Sequence, residues 1–465
     1  MNDPNNIFGK TIASTGAELL RQLEYGISEG CLSPGAAETR SARNVFGRKG
    51  YHREGSDLSF LAGLASTGLR TAAFLAGSQL SANYNQLAGL VRQNLAVLVH
   101  YAASPKNGKE RFSGFGNLYG AGQTGCFQFV AANLQELVDF TAIGHKVAEL
   151  ALLPGICMID DAYSQQEASV PDAHFFRRFL GEPDEHISCP APAQRLIFGK
   201  NRRRIPQWFN LDTPAMSGLR KEKPGLQLEE AARERYFYHH LPEIIREVME
   251  EYGKLSGRQY SAVKTADAGR ADYLVLAHGA AFETVSEAAR QAQVQEKAKV
   301  GALSLSLLQP FPQEELASWL AGKKGIAILE EAGSSEAGDS VLFREVSAAA
   351  RRLGKKAPAL YSGIYAGALT REAVMAAIKN MQRGGAQKER FYIGFDFTRP
   401  ATGFPQHQVM LESIRREYPD IEKETLEIPP EKTEVKAGAA VRSLPFAIRR
   451  YRDQGPPYSR LSRFY

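Results

Sequence analysis

No stretch of this chain is apolar for long enough to cross a membrane, so no integral membrane role is expected. Met1 to Lys10 is polar and has no signal-peptide core, so a cytoplasmic location is expected. Cysteine is scarce: Cys31, Cys126, Cys157 and Cys189 are the only four, and no two make a CxxC pair. An iron–sulfur cluster draws its thiolates from close, recognisable spacings, and a structural zinc needs a close pair. The expectation is a chain with no metal ligands, in a compartment that keeps thiols reduced. His239 and His240 are adjacent within a helical pattern, where neighbours point to different faces. Charge of one sign is not in excess either. The 57 basic and 51 acidic residues leave +6, too little to argue for nucleic acid. No short internal repeat is present.

What is there is alternation. Thr71–Gly77, Ala96–Ala103 and Gly155–Ala162 are short apolar runs bounded by turn residues, the signature of buried strands. Helical patterns separate them, at Ser56–Leu69 and at Asn133–Leu150, the latter with Asn133 as its cap. Such alternation predicts a mostly parallel sheet covered on both faces. Asp172 to about Leu228 is rich in Pro, Arg and aromatics without a clear period, and reads as an extended arm. Gln227–Leu255 is a charged helix with Leu241, Ile244, Ile245 and Val248 as its apolar face.

A second α/β unit follows. Its strands are Tyr273–His278, Val300–Leu308, Ile326–Glu330, Ala359–Ser362 and Phe391–Phe395, with helical patterns between them. The fold class is therefore α/β, with two doubly wound parallel-sheet domains at 1–255 and 256–399. A tail at 400–465 carries one helical stretch, then a Pro/Lys/Glu linker and a basic aromatic end. That end suits packing on a partner subunit, with a nucleic-acid arm as the alternative.

Several segments, in order, resemble pyruvate:ferredoxin oxidoreductases and related 2-oxoacid:acceptor oxidoreductases. Gly30-Cys31-Leu32-Ser33-Pro34-Gly35 is similar to the family's Y-P-I-T-P-S-S loop, with Ser33 at the Thr position. Arg53-Glu54-Gly55-Ser56, with Gly63 and Gly68, is similar to its S-E-A-G segment. Thr71 to Leu80 is similar to T-x-T-A-S-Q-G-L, placing Gly77 and Ser78 at the strand's end. Gly122-Gln123-Thr124-Gly125, Asp272–Glu283, Leu308–Pro312 and Gly363-Ile364-Tyr365 continue the series.

The resemblance implies a transketolase-like pair of domains: a thiamine-diphosphate pyrimidine-type domain and a transketolase C-terminal-like domain. It implies thiamine diphosphate shared with a partner. The G-D-G…N motif that grips the diphosphate through Mg²⁺ is missing; Gly338-Asp339-Ser340 is the nearest match and lacks the Asn. A beta subunit is then expected to bring the diphosphate site and Mg²⁺. Gamma and ferredoxin-like delta subunits would bring iron–sulfur clusters, in a dimer of heteromers, with CoA as co-substrate. Glu54 takes the place of the catalytic carboxyl on pyrimidine N1′. Such a carboxyl is expected to be buried against the ring, with a perturbed pKa. From the residues alone, Glu54 reads as a solvated carboxylate favourable to a helix N-terminus, and it is the resemblance that assigns it the cofactor role. Gly77 and Ser78 are further cofactor-binding candidates.

The substrate side departs from the pattern. The family's H-V-x-A-R is here His100-Tyr101-Ala102-Ala103-Ser104, so Ser104 replaces the Arg that clamps the 2-oxo acid's carboxylate. Lys106 or Arg111 is the candidate substitute, and Ser33 keeps a hydroxyl. The G-D-H-x-D segment is here Ser113-Gly114-Phe115-Gly116-Asn117, read as part of a mobile glycine-rich loop at the active-site entrance. Three functions remain open at this level: an oxidoreductase subunit, a non-redox thiamine-dependent decarboxylase or transketolase-like half, and a catalytically weakened scaffold of a redox complex.

Overall fold

A computed structural model describes residues 4–33, 43–103, 114–160, 164–209, 227, 231–232, 238–332, 339–365, 367–397 and 405–428. The chain opens with β1 (Thr11–Thr15), α1 (Gly16–Ile27) and β2 (Gly30–Ser33), then β3 (Tyr51–Glu54), α2 (Ser59–Ser66) and β4 (Thr71–Ala76). Next come α3 (Gln79–Ala82), α4 (Tyr84–Arg92), β5 (Val97–Ala102), α5 (Gly114–Gly122), β6 (Phe127–Ala131), α6 (Leu134–Ala151) and β7 (Gly155–Ile159). Strands β2, β4, β5, β6 and β7 lie parallel in one sheet, with β3 at its edge. Every residue of β6 and β7 is buried, which is why these strands read as continuous apolar runs rather than alternating ones.

Helix α6 is buried almost all round. Asn133 caps it by accepting from the Glu136 amide at 3.0 Å, as its sequence predicts. Gly144 lets it lie against the sheet, since a Cβ there would stand 2.8 Å from Leu98 Cδ1. Its charged residues are consequently all paired within the protein. Glu149 holds Arg70 at 2.5 Å, and Lys146 donates to the Phe179 carbonyl and to Glu251.

The arm is more regular than its composition suggested. Just before it, β8 (Gln165–Ser169) pairs antiparallel with β1, and the arm is described continuously from Asp172 to residue 209. Helix α7 (Ala173–Leu180), capped by Asp172, follows, then β9 (His186–Ser188), α8 (Pro192–Phe198) and β10 (Asn201–Arg203). Arg202 and Arg204 supply the reason, bonding Gln194, Glu149, Leu150 and Glu185 and so holding the segment down on the first sheet. Helix α9 (Leu241–Ser256) buries Leu241, Ile244, Ile245 and Val248 as its period predicts.

The second sheet consists of β11 (Val263–Ala266), β12 (Tyr273–Ala277), β13 (Val300–Leu305), β15 (Gly325–Glu331), β16 (Ala359–Tyr365) and β17 (Arg390–Ile393). Their order is β11-β13-β12-β15-β16-β17, parallel except for β11. Helices α10 (Ala281–Glu296), α11 (Gln313–Leu320), α12 (Val341–Arg351) and α13 (Arg371–Gln382) connect them; α14 (Pro405–Glu417) lies in the tail. The run Val300–Leu308 is not one strand. It bends at Ser306, and β14 (Leu307–Gln309) leaves the second sheet to pair antiparallel with β6. The first sheet, β14-β6-β7-β5-β4-β2-β3, is thus closed at one edge by residues from beyond position 256.

Candidate functional site

In the first sheet the chain runs from β2 outward to β3, then crosses back to β4 on the other side of β2. The strand order therefore reverses between β2 and β4. In open parallel sheets the crevice at the carboxyl ends of such a pair is where ligands bind. Ser33 ends β2, Gly77 follows β4, and Glu54 ends β3, so three residues singled out in the sequence lie at the carboxyl ends of adjacent strands on the two sides of that switch point.

Ser33 is buried and paired in register with Glu54 across the β2–β3 ladder. Glu54 stands at the end of the edge strand, exposed to solvent. The burial expected of this carboxyl is against a cofactor ring, a contact that this chain by itself does not contain. An edge strand pairs on one side only, which leaves the end of β3 accessible from the other. Arg53 lies over the Phe60 ring at 5.5 Å, and His52 is buried edge-on to Tyr25, fixing which side of β3 faces the core.

At the other wall, Gly77 takes φ +52°, a left-handed conformation suited to glycine, where the chain turns from β4 into α3. Its amide donates to the Ala102 carbonyl at 3.1 Å, and the Ala76 amide donates to Gln79 Oε1 at 3.0 Å. Ser78 is exposed beside it. Ser104, Lys106 and Arg111 lie outside the described residues.

The glycine-rich stretch is a helix, not a loop. In α5, Gly120 faces Tyr84 and Gly122 faces Gln309, while Gly125 just beyond it has φ +91° and faces the Tyr238 hydroxyl. These glycines make room for packing across elements. Asn117, on the same helix, donates from Nδ2 to the Gly77 carbonyl at 3.2 Å.

A buried cluster that the sequence does not announce joins α1, β5 and α6. Glu24 of α1 is fully buried and meets His100 Nε2 at 2.6 Å and His145 Nε2 at 3.0 Å. Ser28 donates to its other oxygen. Burial opposes the charge on Glu24, but the two imidazoles outweigh it and hold the carboxyl far below the usual range. Its members are 76 and 121 residues apart, so no local pattern could have linked Glu24 to His100 and His145.

The two sheets meet at their carboxyl ends. Asp160, following β7, accepts from the Ala280 amide at 2.9 Å at the start of α10. His278 is buried there and stacks on Phe115 at 5.1 Å; burial pushes its pKa down to about 3. Among the described residues no group of three or more His, Cys, Asp or Glu is placed to hold a metal, and the four cysteines are buried and free. No helix among them is long and apolar enough to cross a membrane.

Two doubly wound sheets joined at their carboxyl ends, the first with a switch point between β2 and β4, define an α/β protein of the two-sheet type. Comparison with known proteins makes this specific. Residues 50–234 match the thiamine-diphosphate-binding domain of pyruvate flavodoxin/ferredoxin oxidoreductases. Residues 271–374 match core domain II of pyruvate:ferredoxin oxidoreductase. Ketoisovalerate oxidoreductase subunit VorA of Pyrococcus horikoshii is 28% identical over 233 residues, which is 50% of this chain and 54% of the relative. Pyruvate synthase subunit PorA of Pyrococcus furiosus is 27% identical, over 45% of this chain and 48% of the relative. A putative pyruvate-flavodoxin oxidoreductase of Synechocystis is 22% identical across 70% of this chain but only 26% of its own length. A 2-oxoglutarate:ferredoxin oxidoreductase from Magnetococcus marinus, solved with 2-oxoglutarate, coenzyme A and succinyl-CoA bound, superposes with a TM-score of 0.55 at 16% identity. The match covers 80% of this chain and 65% of that one. The chain spans about half the length, or less, of these curated relatives. It belongs to the pyruvate:ferredoxin oxidoreductase family.

Proposed function

We propose that this chain is the alpha-type subunit of a 2-oxoacid:acceptor oxidoreductase and supplies the pyrimidine-side half of a thiamine diphosphate site. The observation that carries the reading is the register pairing of Glu54 with Ser33 at the carboxyl end of the first sheet's edge strand, beside the switch point, with Glu54 exposed. The residues fit half of such a site: a carboxyl at the rim, a hydroxyl beside it, and a glycine turn opposite. Thiamine diphosphate, when bound, supplies the nucleophilic carbon and the electron sink for decarboxylating a 2-oxo acid.

This chain's residues orient and protonate. Glu54 would hold a proton between its carboxyl and pyrimidine N1′, favouring the tautomer that acts as base. The Gly77–Ser78 turn would bound the ring's other side. Ser33 would donate its hydroxyl to the substrate. Lys106 or Arg111 would meet the carboxylate in place of the Arg that Ser104 replaces. A closed partner surface would exclude water and bury Glu54.

The partners in this proposal are a beta subunit with the diphosphate site and Mg²⁺, and gamma and delta subunits carrying iron–sulfur clusters. Together they form a dimer of heteromers that transfers the acyl group to CoA. A domain boundary near 255 and a tail at 400–465 that packs on a partner belong to the same reading. Four free, buried thiols support a cytoplasmic location.

The test is viologen reduction by the natively co-purified complex across a panel of 2-oxo acids, with and without CoA. CoA-dependent reduction that collapses in Glu54→Gln is the expected result. Decarboxylation without viologen reduction would favour the non-redox half. A complex that takes up no thiamine diphosphate would leave a scaffold.

A further inference from the structure

Asn117 is on α5, outside the sheet, yet its carboxamide reaches the wall of the crevice. Nδ2 has two hydrogens and two acceptors: the Gly77 carbonyl at 3.2 Å and the Tyr101 hydroxyl at 3.4 Å. Tyr101 is buried in β5, the strand beside β4, so this anchor does not move. The backbone of Asn117 is held from a third direction, because the Tyr84 hydroxyl donates to its carbonyl at 2.6 Å. That approach needs Gly120, where a Cβ would stand 3.0 Å from Tyr84 Cζ. One half-buried side chain therefore ties α5 to the turn at which the chain leaves β4 at the switch point.

We propose that Asn117 is a positioning residue that sets the Gly77–Ser78 turn for the cofactor, a role that rests on the thiamine diphosphate reading above. A carboxamide suits the task. It donates to both oxygens at once, whereas a carboxylate of the same shape donates to neither and repels the Gly77 carbonyl. The resemblance aligns this position with an Asp, so the amide is a feature of this chain. Its contribution is positional: Asn117 holds the backbone that bounds the ligand, and the chemistry stays with the groups at the crevice.

The experiment compares the co-purified complex with its Asn117→Asp and Glu54→Gln variants in two measurements. The first is hydrogen–deuterium exchange of the cofactor-free complex, with faster exchange expected in Asn117→Asp at Gly77–Leu80 and unchanged exchange in β7. The second is activity against thiamine diphosphate concentration. Asn117→Asp should raise the half-saturating concentration about three- to tenfold, the scale of one lost hydrogen bond, while kcat at saturation stays within about twofold. A folding defect would instead lower kcat and the active fraction without moving half-saturation, and would overturn the inference. So would a wild type that saturates normally beside an Asn117→Asp variant with the same half-saturation and the same exchange. If the wild-type complex itself takes up no thiamine diphosphate, the functional reading falls, and this inference with it.

Discussion

Arg258 grips Asp139 with two nitrogens, Nε at 2.5 Å from Oδ2 and one terminal nitrogen at 2.8 Å from Oδ1. Asp139 is in the middle of α6 and fully buried, while Arg258 lies just past the end of α9, on the way into the second sheet. Tyr252 and Tyr260 donate to the same carboxylate, and its charge joins burial in pushing both phenols well above their usual range, so both remain donors. With Gln135 Nε2 donating to Oδ1 at 3.1 Å, five bonds converge on one carboxylate where α6 meets the entry to the second sheet. Asp139→Asn keeps the shape but loses the charge and places an amide donor where only donors arrive. A loss of about 3 kcal/mol is expected, the low end for a broken buried pair because Arg258 is partly exposed. Denaturant titration of the purified variant measures it, and a shift within error would show that the cluster is not a clamp.

Two buried histidines make the fold acid-sensitive. Burial lowers His52 to about 4 and His278 to about 3, against 6.5 for a free imidazole. The unfolded chain therefore takes up protons that the folded chain refuses as pH falls below 6.5. Stability is complete above that value and declines from there toward the folded pKa values, by about 1.4 kcal/mol per pH unit for each histidine. The thermal midpoint should fall on acidification from pH 7 to 4.5. His278→Phe should reduce that slope, and an identical slope in the variant would assign the acid sensitivity elsewhere.

Gly301 lies inside β13, where a Cβ would stand 2.6 Å from the Ala268 Cα. The obstacle is backbone, which cannot rotate away. Gly301→Ala should cost about 1–3 kcal/mol by overpacking. Gly269→Ala, which meets nothing within 4 Å, is the matched control. Equal melting temperatures for the two variants would contradict the packing.

The Glu24 cluster gives a prediction of opposite form. Because the carboxyl is held far below its ordinary 4.5, its contribution is present above pH 4.5 and is lost only in strong acid. Glu24→Gln should be clearly less stable than wild type at neutral pH. The gap should persist down to about pH 4.5 and narrow progressively as the pH falls from there toward the depressed carboxyl's range. A gap that closes between pH 7 and 5 would mean that the imidazoles, not the carboxylate, govern the network.

Much of the architecture is legible along the chain. The strands at Thr71, Ala96, Gly155 and Tyr273 announce themselves as apolar runs because buried parallel strands need apolar residues on both faces. Asn133 caps its helix because capping depends on residues only three apart. Strands β2 and β3 do not announce themselves: each has four residues, and β3 shows no alternation strong enough to separate it from a loop. The split of Val300–Leu308 is hidden as well, since one apolar run serves two sheets. Composition misled at α5, where glycines that look like a mobile loop are close contacts of Tyr84, Gln309 and Tyr238.

The sequence alone determined what depends on neighbours in the chain: the α/β class, the two sheets, the helix caps, and through ordered motifs the family and the candidate Glu54. Only the tertiary structure decided what depends on residues far apart. It paired Ser33 with Glu54 and set that carboxyl, exposed, on the edge strand of the first sheet. It brought Glu24 to His100 and His145, sent β14 across to the first sheet, and set Asn117 on the Gly77 carbonyl. Period and capping act over a few residues and can be read in order; strand pairing and buried charge join distant segments, and their partners appear only once the chain has folded.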